Sequence, residues 1–247
     1  MSPNKQADNS TVLEKEGQLN DSITKDSIEP VIGDPNTPEE IDYHLSKYFK
    51  DDDISVFHEL VSDKIHVDIY LIKANNERNY NILMTSGMSS LPMNVPEEFK
   101  ESEYAEIIAL LPKDWPLEQK YFENENYYWP IRQLKSLARM PVTYNTWLGE
   151  GHTIANGDPA QPFADNNHFV GIVLLPSVTL PKDFLTIKTK EKVIHVYSMI
   201  PLYKEEMDYK LKKGVNKLLS KFNKYGIKEI IDTTRVNACK TTFKFFN

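Results

Sequence analysis

The chain has 247 residues, 40% hydrophobic and 11% aromatic, with a formal net charge of −7 and one cysteine. Such a length and apolar content suffice for a packed core in one large domain or two small ones. They exclude a disulfide-stapled scaffold, because Cys239 has no internal partner. They also exclude a helical membrane anchor, because no window approaches the roughly 20 apolar residues of a span. The N-terminal residues lack the apolar stretch of a signal peptide, so the expected location is the cytoplasm.

The charge is uneven. Residues 1–42 hold ten acids against three bases, and the remaining 205 hold 26 of each. A neutral body has no long-range field for a nucleic-acid backbone, so neither nucleic acid nor membrane is an expected partner. Within it, residues 97–125 carry nine acids and three bases, and residues 203–247 carry eleven bases and five acids.

In chain order, residues 1–36 are polar and aperiodic and predict a disordered acidic tail, with the folded domain over 37–247. "TPEEIDYHLSKYF" predicts a helix. Thr37 and Glu40 have capping-box spacing, Pro38 suits the first turn, and Ile41, Leu45, Tyr48 and Phe49 share a face. "KIHVDIYLIKA" alternates Ile65, Val67, Ile69 and Leu71 against His66, Asp68, Tyr70 and Ile72, the period of a strand. Further strands are expected at "YNILMT", "YAEIIALLP", "HFVGIVLLPSV", "FLTIKT" and "KVIHVYSMIPLY". "WPIRQLKSLARMP" predicts a helix opened by Pro130 and closed before Pro141. A single long helix is expected over 204–225, with Met207, Leu211, Val215, Leu218, Leu219 and Phe222 in one stripe and Gly226 as its left-handed stop. Strands and helices mix without regular alternation, so the fold class is α+β, a mixed β-sheet sandwich with flanking helices in a single domain.

"TSGMSSLPM" after a strand invites a catalytic reading, but it lacks the second glycine and Lys-Ser/Thr pair of a phosphate loop. It also lacks the glycine two residues after Ser89 that a nucleophile elbow needs. It reads as architecture: Gly87 turns the chain at positive φ, and Met88 and Met93 fill core space. His66 and Asp68 lie two apart on one strand face, with no third ligand at metal spacing. The expected arrangement is a histidine bonded to a carboxylate, while a hydrolase using this pair stays open as an alternative. His58 and Glu59, as neighbours on a strand, would face apart. "GEGHTIANGDP" and "ADNNH" read as turns. Trp115, Trp129 and Trp147 fit core anchors or exposed contact residues equally.

Six blocks, "HVDIYLI", "TSGMSSLPM", "YAEIIALLPKDW", "YWPIRQLKSLAR", "GHTIANG" and "MIPLYKEEMDY", resemble in order and spacing the bacterial single-domain branch of the suppressor of fused family. The likeness runs over about residues 40 to 235. It implies a mixed α/β sandwich without catalytic centre, metal or cofactor. Bacterial members look like immunity proteins that neutralise a cognate polymorphic toxin by occlusion, the toxin being encoded in an adjacent gene. Animal members hold a transcription factor by taking a peptide as an added strand, which leaves a cytosolic adaptor as an alternative function. No peptide-gripping residue carries over.

Many toxin domains attack nucleic acid and are basic, so the acidic run is the expected partner surface. Its residues are Glu97, Glu98, Glu101, Glu103, Glu118, Glu123 and Glu125, on loops flanking the strand "YAEIIALLP". Glu106, inside that strand, is set apart as structural.

Overall fold

Two helical layers enclose one eight-stranded mixed sheet in the computed structural model, which describes residues 34–50, 52–59 and 64–240. Of the tail expected at 1–36, residues 1–33 lie outside the described residues, as do residues 241–247 of the expected domain. The strands are β1 (Ile54–Phe57), β2 (Asp68–Ile72), β3 (Tyr80–Ser86), β4 (Ala105–Pro112), β5 (Thr153–Ala155), β6 (Phe169–Leu175), β7 (Thr186–Lys188) and β8 (Val193–Tyr203). Their order is β1-β2-β3-β4-β8-β6-β5, with β7 also on β8. β4 and β8 run parallel and all other pairs antiparallel. The α+β class and the single mixed sheet with flanking helices are as the sequence predicts.

The alternation of side chains sorts the core. On β8, Tyr197 and Met199 pack on one side with Ile69, Leu83 and Ile107, beneath helix α2 (Glu125–Tyr144). Ile194 and Val196 point the other way, into a cluster with Ile41 and Leu45 of α1 (Thr37–Tyr48). Ile200 and Leu202 lie on that same second side, with Met207 of α3 (Lys204–Lys213) and Leu218 and Phe222 of α4 (Val215–Tyr225). Both faces are therefore covered: β6 reads as an unbroken apolar run because every position is buried, and β4 is buried from Ala105 to Leu111 and apolar there except at Glu106.

Several local expectations yield to tertiary contacts. Helix α2 contains both Pro130 and Pro141 and ends at Asn145 in the left-handed region, φ 48°. Pro130 removes the donor for the carbonyl four residues back, Asn126. Asn166 Nδ2 supplies it at 3.1 Å, and Asn166 N donates to Asn126 Oδ1. The turn "ADNNH" thus repairs a helix 40 residues away. The expected long C-terminal helix is two, broken at Gly214, whose φ 85° and ψ 162° are not helical. Leu211 leaves the stripe and is 67% exposed, whereas Gly226 stops α4 at φ 66° as expected. β2 pairs only from Asp68, because β3 turns away at Gly87 just past the Asp68–Ser86 pair. Thr153–Ala155, expected as a turn, is a strand on the edge of β6.

The capping box does not form. Thr37 is the first helical residue, and its hydroxyl is committed elsewhere: it donates to Asp34 Oδ2 at 3.1 Å and accepts from Lys192 Nζ at 2.6 Å. The Lys192 side chain, 5% exposed, also donates to Asp34 Oδ2 and to the Ser89 carbonyl. Asp34 belongs to this junction although composition places it in the tail. The Lys192 hydrogen bond, followed by that from Asn36 N, holds the Asp34 carboxyl below its usual range. Asp34→Ala is expected to cost about 1–2 kcal/mol, because it strips the partner from a buried ammonium. A folded pKa that is lowered gives stability above the unfolded value and loses it as pH falls through the folded one. Melting curves of variant and wild type should therefore converge in acid; a constant gap would reject the ion pair as its source.

Candidate functional site

The "TSGMSS" turn is built around a buried carboxylate. Glu106 on β4 has 0% exposure, and four donors from the turn converge on it. Thr85 Oγ1 donates to Oε2 at 2.5 Å; Gly87 N, Ser89 N and Ser89 Oγ donate to Oε1 at 3.1, 3.0 and 2.6 Å. Thr85 Oγ1 in turn accepts from Ile107 N at 2.8 Å. Burial pushes the Glu106 carboxyl up, and the hydrogen bonds from Ser89, Thr85 and Gly87 oppose that rise. Gly87 sits at φ 129°, and a Cβ there would lie 2.0 Å from the His66 carbonyl oxygen, so only glycine fits. Ser89 is fully buried and bonded to Glu106, which accounts for the segment as architecture.

His66 Nε2 and His58 Nδ1 donate to the two oxygens of Asp68 at 2.8 and 2.9 Å, and Glu59 N also donates to it. The histidine–carboxylate pairing expected for His66 is present. His58 and Glu59, expected to face apart, both meet Asp68, because β1 ends at Phe57 and the chain curls over the start of β2. The His58 imidazole is 71% exposed and that of His66 56%. Among the described residues no three His, Cys, Asp or Glu side chains are placed to hold a metal ion.

The acidic residues divide. Glu97, Glu98, Glu101 and Glu103 belong to a 3-10 turn (Glu97–Ser102) and its cap, before β4. Glu118, Glu123 and Glu125 follow β4. Eight strand residues separate the groups by ~26 Å, so they form no single patch. Glu97, Glu98 and Glu101 are exposed, and Glu103 is half-buried against Lys100. In the second group, Glu118 pairs with Lys120 at 2.6 Å and Glu125 with Arg132 at 2.9 Å, while Glu123 is exposed.

Beside the first group lies an open groove of about 830 Å3. β6 and β7 run along the same side of β8, meeting it at Ser198 and His195, and the loop between them bulges outward. The groove occupies that gap. One wall is aromatic: Phe99, 45% exposed, stacks on Trp147 with centroids 5.0 Å apart, and Trp147 meets His152 edge-on at 4.3 Å. The floor is His195 stacked on Tyr197, and His195 Nε2 is tied to the Glu101 carbonyl at 3.1 Å. Val178, 90% exposed, forms the far rim, with Glu150 and Lys182 also lining the groove. Burial lowers the pKa of His152 and raises that of Tyr197. Of the three tryptophans, Trp129 is a fully buried core anchor, Trp115 is half-buried, and Trp147 belongs to this groove. Sequence reading found the carboxylates but missed the groove, whose walls come from four separate stretches.

Among the described residues no helix is long and apolar enough to cross a membrane. No curated protein matches the chain. The structure is similar to a suppressor of fused homologue from Neisseria gonorrhoeae, with a TM-score of 0.60, 18% identity, and coverage of 84% of this chain and 99% of that one. It is also similar to a chain of the Sufu-Fu complex, TM-score 0.59, 14% identical, over 84% of this chain and 93% of that one. Drosophila Suppressor of Fused matches at a TM-score of 0.60 and 13% identity, over 83% of this chain and 52% of that one. These likenesses give the fold; the family comes from the sequence, where the profile of the suppressor of fused protein (SUFU) family matches residues 63–236. The chain belongs to the suppressor of fused family.

Proposed function

We propose that this protein is a cytoplasmic immunity protein, which binds a cognate toxin and neutralises it by occlusion, without metal, cofactor or chemistry of its own. The observation that supports the reading is the aromatic groove bordered by acids. Glu97, Glu98 and Glu101 flank Phe99 on one exposed turn, and Glu150 lines the groove itself. An apolar cleft supplies the desolvated centre of an interface, and acidic surroundings speed the approach of a basic partner. The gene next to its own is the expected source of that partner.

The test is co-purification with that gene's product, followed by two charge reversals. Changing Glu97, Glu98 and Glu101 to lysine should slow association about tenfold at low salt. Changing Glu118, Glu123 and Glu125 to lysine, at the other end of β4, should leave the rate unaltered. Equal effects would move the partner off the groove. A second reading, an adaptor that takes a peptide as an added strand, has β1 in its favour: it is half-exposed and, among the described residues, pairs with β2 alone. A proline at Val56 that blocked binding, with Phe99→Ala having no effect, would select it.

A further inference from the structure

The loop after β6, "PSVTLP", begins at Pro176 and ends at Pro181. At its tip Val178 is 90% exposed, more than any other large apolar side chain among the described residues. Three successive amides fasten this tip. Glu229, 6% exposed, lies 51 residues further along the chain than Val178, and its Oε2 accepts from Val178 N at 3.0 Å and Thr179 N at 3.1 Å. Ser177, 7% exposed, accepts through Oγ from Thr179 N at 3.2 Å and Leu180 N at 3.0 Å. The two prolines restrict the backbone at either end.

A single exposed valine is ordinary on a protein surface. A buried carboxylate and a buried hydroxyl committed to holding one there are not, because each is costly to bury. An apolar tip that is already ordered loses little entropy when gripped, so its burial goes into affinity. Shape and charge define what grips it. Val178, Pro176 and Glu150 border both the groove and a second hollow of about 310 Å3, with Leu219 and Phe222 in its lining. The tip is thus a ridge between two depressions. Glu150 is exposed and in no ion pair among the described residues, and the turn that gives the groove Phe99 carries the exposed Glu97, Glu98 and Glu101. Against these four acids, the two linings hold Lys182 and Lys228. We propose that Val178 anchors the interface: it enters an apolar hollow of a basic partner protein, whose rim meets Glu150 and the acidic turn. The inference rests on the occlusion reading above and names the residue that the partner must accommodate.

The experiment measures the dissociation constant between the full chain and the purified product of the neighbouring gene. Val178→Ala should weaken binding about tenfold and Val178→Asp about a hundredfold. Both should keep the melting temperature, since the side chain is 90% exposed. Tyr43→Asp, on α1 and 66% exposed, should leave binding unchanged. Ser177→Ala keeps the valine but frees two amides, so exchange at Thr179 and Leu180 should quicken. It should weaken wild-type binding about threefold, and should cost nothing more in a chain already carrying Val178→Ala. Binding by Val178→Asp as tight as wild type, an equal loss from Tyr43→Asp, or the same cost of Ser177→Ala in both backgrounds would each overturn the anchor. In all three cases the product still binds wild type, and the occlusion reading stands. If the product fails to bind wild type, the occlusion reading falls and the anchor with it.

Discussion

Replacing Arg235 with alanine should destabilise the protein by about 3–5 kcal/mol, because it leaves Glu206 as an uncompensated buried charge. Glu206 is 0% exposed, and Arg235 grips it with both terminal nitrogens, at 2.7 Å to Oε1 and 2.6 Å to Oε2. Tyr203 N and Ala238 N add donors at 3.1 and 2.8 Å. The same guanidinium donates to the carbonyls of Pro201 and Val236, and lies over the rings of Phe169, Tyr203 and Phe222. It therefore joins the last described segment to β8, α3 and α4 together. Chemical denaturation is the measurement, read at constant slope. Adding Glu206→Gln to the Arg235→Ala chain should recover part of the loss, since the stranded charge is then gone. If the double change is as damaging as the sum of the two single ones, the pair is not what holds this junction.

Glu106→Ala is the second large expected loss, about 3 kcal/mol, because Thr85, Gly87 and Ser89 are left with buried donors and no acceptor. Glu106→Gln separates packing from charge. The folded carboxyl is raised above its ordinary value of 4.5, chiefly by burial. From that value up to the raised one, the folded chain keeps a proton that the unfolded chain releases. Stability contributed by this group is thus full below the ordinary value and declines as pH rises through the raised one. Glutamine does not titrate, so the variant should gain on wild type as pH increases through that window. Denaturation midpoints of the two proteins at several pH values decide the matter, and parallel curves would refute a raised Glu106. The sign is opposite to that of Asp34, whose contribution disappears in acid.

Much of the architecture is written locally. α1 follows from Pro38 and the spacing of Ile41 and Leu45, and β3, β4, β6 and β8 from apolar runs that end at glycine, proline or turn residues. Gly87 and Gly226 announce left-handed turns because no other residue adopts them cheaply. The family could be read from six short blocks for the same reason, since each is a local segment whose chemistry its own neighbours dictate. Glu106 could be set apart as structural because it interrupts an apolar strand, but its partners in the turn are 17 to 21 residues away. The extent of α2 depended on Asn166, which serves the carbonyl that Pro130 leaves free. The acidic run looked continuous along the chain, yet β4 carries its halves to opposite ends of the sheet. The groove could not be read at all. Its walls come from the turn before β4, the segment after α2, the β6–β7 loop and β8, and only the pairing of distant strands brings those stretches together. Sequence fixes what neighbours a few residues apart can decide, through φ, ψ and the periodicity of burial. Surface chemistry assembled across the sheet belongs to the tertiary structure, because no local rule sets which strand lies next to which.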